Sequence, residues 1–87
     1  MGIIMQLSQI TTFLTIAELK SFSLAAEQLH ITQPAVSKRI RQLEQSMKTS
    51  LFDRIGKRSI LTPNGLAFLT HAFSIRTHFV HRPYFVV

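Results

Sequence analysis

Ser21-Phe22-Ser23-Leu24-Ala25-Ala26-Glu27-Gln28-Leu29-His30-Ile31-Thr32-Gln33-Pro34-Ala35-Val36-Ser37-Lys38-Arg39-Ile40-Arg41-Gln42-Leu43-Glu44 is the stretch that decides how this chain folds. It reads as a short helix, a break and a longer helix. Ser23 is a candidate N-cap, with helix following from Leu24 to Leu29 or His30. Ala25, Ala26 and Leu29 give the short helix a small-residue inner face, which lets a second helix approach closely. A helix this short needs tertiary packing to persist. The break falls at His30-Ile31-Thr32. Thr32 caps the next helix, and Pro34 sits in its first turn, where a missing N–H is harmless. Val36, Ile40, Leu43 and Met47 then recur at i, i+4, i+7 and i+11, one apolar stripe. Ser37, Lys38, Arg41, Gln42 and Gln45 occupy the other faces, and Glu44 is the one acid in that helix.

Upstream, Ser8 is a plausible N-cap for a helix running to Leu19, with Leu7 just outside it. Ile10, Phe13, Leu14 and Ala17 form its apolar stripe. Downstream lie two short apolar runs, Leu51-Phe52 and Ser59-Ile60-Leu61. Between them, Asp53-Arg54-Ile55-Gly56-Lys57-Arg58 is cationic and carries the glycine a hairpin turn needs. This predicts a small two-stranded wing with a basic tip. Thr62 and Pro63 then restart helix as N-cap and first helical residue. Leu66, Leu69 and Phe73 follow at i, i+3 and i+7, to about His78, and Arg82-Pro83 ends any helix before it. The fold class is therefore mainly α: a winged helix-turn-helix with a three-helix core and a β-hairpin wing, followed by a further helix. The expected organisation is a domain over residues 5–61, a helix over 62–78 and an atypical tail over 79–87.

With 87 residues, 46% of them hydrophobic, the chain has enough material for one domain with one modest core. Its formal net charge is +6, and every formal charge after Asp53 is positive. That balance points to a polyanion, either nucleic acid or an anionic membrane surface. The chain has no cysteine, which excludes disulfides, thiolate metal sites and cysteine nucleophiles. No run reaches the roughly 20 apolar residues a membrane span requires. Met1-Gly2-Ile3-Ile4-Met5 is a poor signal peptide, so a cytoplasmic protein is expected. No carboxylate pair or nucleophile–base arrangement stands out, and no enzyme is expected. The spacing of His71, His78 and His81 fits no strong zinc signature; neither metal nor cofactor is expected.

In a helix-turn-helix the N-terminal residues of the second helix reach base edges in the major groove. Gln33 can read adenine through two hydrogen bonds, and Pro34 and Ala35 offer apolar surface to a thymine methyl. Ser37 can meet a base or a phosphate, and Lys38 and Arg41 guanine or phosphate oxygens. Ser23, at a helix N-terminus, can receive a phosphate. Arg54, Lys57 and Arg58 on the wing suit phosphates or an adjacent minor groove. Each has a plainer reading. Ser23 and Thr32 are caps first, although capping is compatible with phosphate contact. Lys38 and Arg41 also serve to solvate an exposed face, and the wing cations to blunt a hairpin edge.

Residues 21–44, Leu51-Phe52-Asp53-Arg54 and Leu61-Thr62-Pro63-Asn64-Gly65, in this order and spacing, together resemble the DNA-binding domain of LysR-type transcriptional regulators. The likeness extends over residues 5–70. It implies binding to palindromic promoter DNA as dimers, often pairs of dimers, joined through a long linker helix that begins here near Thr62. It also implies a larger C-terminal domain for a small-molecule effector, and no effector site is expected in the present chain. By resemblance, Gln33, Pro34, Ser37 and Lys38 are base-reading residues, and Ser23, Arg41 and Arg54 backbone contacts. Leu66, Leu69 and Phe73 become the dimerisation residues. The chain departs from the family at Lys48, where glycine is usual; a lysine there is strained, or the helix ends differently. Beyond Phe73 the usual mixed charges give way to an apolar segment without acids. A truncated gene end, a frame-shifted end and a cloning artefact all fit that tail. Two other roles stay open: an interaction module pairing through Leu66, Leu69 and Phe73, and a membrane-surface anchor built from Phe73, Phe79, Phe85, Arg76 and Arg82.

Overall fold

The computed structural model describes the backbone of residues 6–80 and the side chains of residues 6–75. The tail beyond Val80 and the expected stop at Arg82-Pro83 lie outside the described residues, as do the side chains of Arg76, His78 and Phe79. The order is α1 (Leu7–Leu19), α2 (Phe22–Leu29), α3 (Gln33–Met47), β1 (Phe52–Ile55), β2 (Arg58–Leu61) and α4 (Pro63–Val80).

Helix α1 starts one residue before the expected cap. Its N-cap is Gln6, not Ser8. The Gln6 N–H donates to Gln9 Oε1 at 3.4 Å, so the glutamine three residues on does the satisfying. Ser8 lies inside the first turn, where its carbonyl accepts from the Thr12 hydroxyl at 2.7 Å. Helix α2 likewise begins earlier than expected. Ser21, not Ser23, is its N-cap, accepting from the Leu24 N–H at 3.1 Å. The reason is tertiary: Phe22, the first residue of the helix, is buried in the core. For α3 the Thr32 cap is found as expected, accepting from the Ala35 N–H at 3.2 Å.

Three helices end on left-handed residues that are not glycine, at Lys20, His30 and Lys48 with φ between 56 and 58°. The α3 terminus keeps the geometry of a glycine-capped end. Thr49 N–H donates to the Glu44 carbonyl at 3.2 Å and Lys48 N–H to that of Gln45 at 3.3 Å. Lysine therefore occupies the left-handed position itself, and the helix does not end differently.

The strands pair antiparallel with Phe52 opposite Leu61 and Ile55 opposite Arg58. They extend further than the two apolar runs suggested, because the turn is only Gly56-Lys57. Gly56 has φ +63° and Lys57 is not in the left-handed region. Glycine at the first central position alone is the pattern that matches the twist of a hairpin.

All the helices share one core. Phe13 is fully buried at its centre. Its ring lies 5.3 Å from Phe52 and 5.1 Å from Phe68, and Phe52 meets Phe22 edge-on at 5.8 Å. Of the expected stripes of α1 and α3, Ile10, Phe13 and Leu14, then Val36, Ile40 and Leu43, are buried, and Ala17 and Met47 are half-buried against them. Helix α4 differs from its reading. It packs through Gly65, Phe68 and Ala72, whereas Leu66 and Phe73 face outward and Leu69 is half-buried between the two faces. Gly65 is required by closeness: a Cβ there would overlap the Leu51 carbonyl oxygen.

Gly65→Ala is therefore expected to destabilise the domain by about 1–3 kcal/mol, the usual range for forced overpacking. Lys48→Gly should act oppositely, raising stability by about 0.5–1 kcal/mol by removing Cβ strain at a left-handed site, net of the glycine's larger unfolded-state entropy. Urea denaturation of the two variants beside the parent chain checks both signs.

Candidate nucleic-acid interface

The face of α3 opposite its buried stripe carries Pro34, Lys38, Arg41 and Gln45, spaced at i, i+4, i+7 and i+11 and all exposed. Gln33, the first residue of the helix, is exposed, and Ser37 is half-buried one turn along on the edge of that face. Of the four expected base readers, Pro34 and Lys38 thus look straight outward, and Gln33 and Ser37 border the same surface. Arg41 extends it by one turn. Thr32 is exposed at its N-terminal end, with its hydroxyl engaged in capping.

Gln33 also lines an open recess of about 260 Å³ between α2, α3 and the wing, together with Ser21, Ser23, Arg54 and Lys57. Strand alternation explains which wing cations arrive there. Phe52, Arg54, Ser59 and Leu61 share one face of the hairpin; Asp53, Ile55, Arg58 and Ile60 share the other. Arg54 therefore turns toward α2, and its guanidinium carbon sits 4.0 Å above the Phe22 ring. Lys57 reaches the recess from the turn. Arg58 does not: it lines a separate groove with Lys20, Ile60 and Leu66. Ser23, displaced from the cap, has its hydroxyl 3.3 Å from that of Ser21 at the recess wall.

Backbone anchors hold the wing in place. The Ser59 N–H donates to the Lys20 carbonyl at 3.0 Å. The Glu44 carboxylate accepts from the N–H groups of Leu51 and Phe52 at 2.8 and 3.4 Å. The hydroxyl of Thr62 donates to the Ser50 carbonyl at 2.6 Å and also accepts from the Gly65 N–H at 2.9 Å as the cap of α4. Sequence reasoning missed Glu44, Ser21 and Phe22. For Glu44 there was a signal, a single acid in an otherwise cationic helix. Phe22 and Ser21 gave none without the burial of the ring.

On α4, Leu66 and Phe73 are 61 and 54% exposed, an apolar surface larger than a buried stripe would leave. Phe73 and Leu69 border a groove of about 380 Å³ with Leu14, Ala17 and Leu61. Among the described residues no helix is long and apolar enough to cross a membrane. Nor do three His, Asp or Glu side chains gather as a metal cage would require, again among the described residues.

A two-stranded wing beside a capped, cation-bearing second helix defines a winged helix-turn-helix protein. The family profile described as bacterial regulatory helix-turn-helix protein, lysR family, matches residues 7–66, and the chain belongs to that family. It is 51% identical over 71 residues to an uncharacterised HTH-type transcriptional regulator from the ibpB-leuC intergenic region of Azotobacter vinelandii. That match covers 82% of this chain and 49% of the relative, so the chain spans about half the relative's length. The fold is similar to that of Vibrio fischeri DarR, solved in complex with DNA, with a TM-score of 0.82 and 39% identity, covering 86% of this chain and 26% of that one. The BenM DNA-binding domain on its benA site 1 DNA matches with a TM-score of 0.80 and 31% identity, over 85% of this chain and 86% of that one.

Glu44→Ala should leave two wing N–H groups without their acceptor, lowering stability by about 1–3 kcal/mol. Amide exchange at Leu51 and Phe52 should accelerate more than at Phe13 in the core, and equal acceleration everywhere would contradict an anchoring role.

Proposed function

We propose that this chain binds double-stranded DNA as the reading domain of a LysR-family transcription regulator. Helix α3 enters the major groove, with Gln33, Pro34, Ser37 and Lys38 at base edges. Ser23, Thr32, Arg41, Arg54 and Lys57 meet the sugar–phosphate backbone, and Arg58 joins them only if the DNA wraps to the other face of the wing. The observation that carries this reading is the exposed Pro34, Lys38, Arg41 and Gln45 face of α3, which borders a recess holding Arg54 and Lys57. The DNA complexes of the DarR and BenM relatives support it. The chain pairs with a second copy through α4, where exposed Leu66 and Phe73 supply apolar surface and Leu69 backs them. Such a protein works where bacterial promoters are, in the cytoplasm.

The outward apolar face of α4 also favours a second reading, an interaction module that pairs with another regulator's helix and makes little use of DNA. Selection from a randomised duplex library at two salt concentrations separates the two. Under the first reading an inverted repeat is enriched, with half-sites about one helical turn apart, and binding weakens steeply with salt as counterions are released. Gln33→Ala should relax preference at one base position by about 1–3 kcal/mol. Equal affinity for the parent chain and a Gln33→Ala, Lys38→Ala double variant would favour the interaction module.

A further inference from the structure

We infer that Phe22 is a positioning residue for DNA binding, acting through Arg54; this rests on the DNA-reading function proposed above. Phe52 and Arg54 lie two residues apart on one face of β1, the face turned toward α2. The Phe52 ring is buried and meets the Phe22 ring edge-on, at 78°. The same Phe22 ring carries Arg54 on a face, with the guanidinium carbon 4.0 Å from the ring centre. The Phe22 side chain is itself buried, so the platform is rigid while the arginine on it remains exposed.

A guanidinium stacked on a ring keeps its N–H donors, because they lie in its own plane and point outward from the stack. Here Arg54 lines the recess whose other walls carry the Ser21 and Ser23 hydroxyls, the Gln33 amide and Lys57. These are donors suited to phosphate oxygens. A free arginine on a hairpin would have to freeze several torsions on meeting DNA. Stacking imposes that order beforehand. Lysine cannot substitute, since a compact ammonium has no planar fork to align. The ring thus contributes to affinity without touching DNA.

The test is a double-mutant cycle on a random-sequence duplex of about 30 base pairs at low salt, where phosphate contacts dominate. Affinity is measured by fluorescence anisotropy for the parent chain, Phe22→Leu, Arg54→Met and the double variant. Phe22→Leu should bind about two- to fivefold more weakly, the scale of an exposed cation–π contact. In the Arg54→Met background the same substitution should change nothing further, and Phe22→Tyr should restore parental binding. An equal loss in both backgrounds would mean that Phe22 only supports the fold, and would overturn the inference. Should Phe22→Leu fail to give a cooperative melt, Arg54→Lys decides instead, because it alters only an exposed side chain. It should weaken binding to a similar degree with the salt slope unchanged, and parental affinity for it would equally overturn the inference. A parent chain that ignores the duplex altogether removes the function reading, an outcome distinct from a failed cycle.

Discussion

Phe13 is where the molecule closes. Its ring is fully buried and touches Phe52 of the wing and Phe68 of α4, and Phe52 passes the contact on to Phe22 of α2. One run of four rings thus joins α1, the hairpin, the last helix and the first helix of the turn motif. Burying one such side chain is worth about 1.5–3 kcal/mol, and aromatic pairs add about 0.5–1.5 kcal/mol each beyond that. In a domain of this size those amounts are a large part of net stability. The hairpin is too short to persist alone, so it exists because Phe52 is anchored in this cluster. Arg54 inherits its position from the same anchor, two residues along the strand.

The polar contacts divide the labour differently. Where chain segments leave the core, backbone groups are matched one by one: Glu44 to Leu51 and Phe52, Lys20 to Ser59, and Thr62 to Ser50, while the Asn64 side-chain amide donates to the Thr49 hydroxyl at 2.6 Å. Between helices, Gln9 reaches Gln42 at 3.4 Å and Arg39 reaches Thr12 at 3.2 Å, which ties α1 to α3. The one acid of α3 is thereby occupied by the wing, and the outward face of the helix keeps only cations and neutral donors. For a surface that must attract phosphates, a carboxylate spent on structure is as useful as a cation added.

Much of this was legible from residue order. Val36, Ile40 and Leu43 announce their face because nothing else in that helix competes for burial, and Thr32-Gln33-Pro34 and Thr62-Pro63 mark helix starts by backbone chemistry alone. The motif resemblance singled out Gln33, Pro34, Ser37, Lys38 and Arg41, of which the structure exposes all but the half-buried Ser37. What escaped required knowledge of neighbours. Ser21 and Ser23 are equally good caps in isolation, and the burial of Phe22 chooses between them. Gln6 displaced Ser8 because Gln9 lay buried in reach of the Gln6 N–H. Helix α4 is apolar on two sides, so spacing alone offered Leu66, Leu69 and Phe73 as readily as Phe68 and Ala72. Only the close approach of Gly65 to Leu51 settles which side faces in.

The wing shows how much function hangs on parity. Read as a six-residue basic tip, residues 53–58 would present all three cations to one partner. Paired through a two-residue turn, they divide: Arg54 faces α2 and the recess, and Arg58 faces Ile60 and Leu66. The positive φ of Gly56 holds this register, since a side chain there would press the turn toward another geometry. A slip of one residue would exchange the two faces, withdrawing Arg54 from Phe22 and bringing Asp53 in its place. The separation also keeps the surfaces independent. Leu66 lines the Arg58 groove and Phe73 a second groove with Leu61 and Leu69; neither lines the recess beside Gln33, so an α4 contact with a second copy through these side chains leaves that recess open. In this fold one glycine in a turn therefore determines which arginine faces the proposed DNA surface and which lies beside the proposed pairing surface.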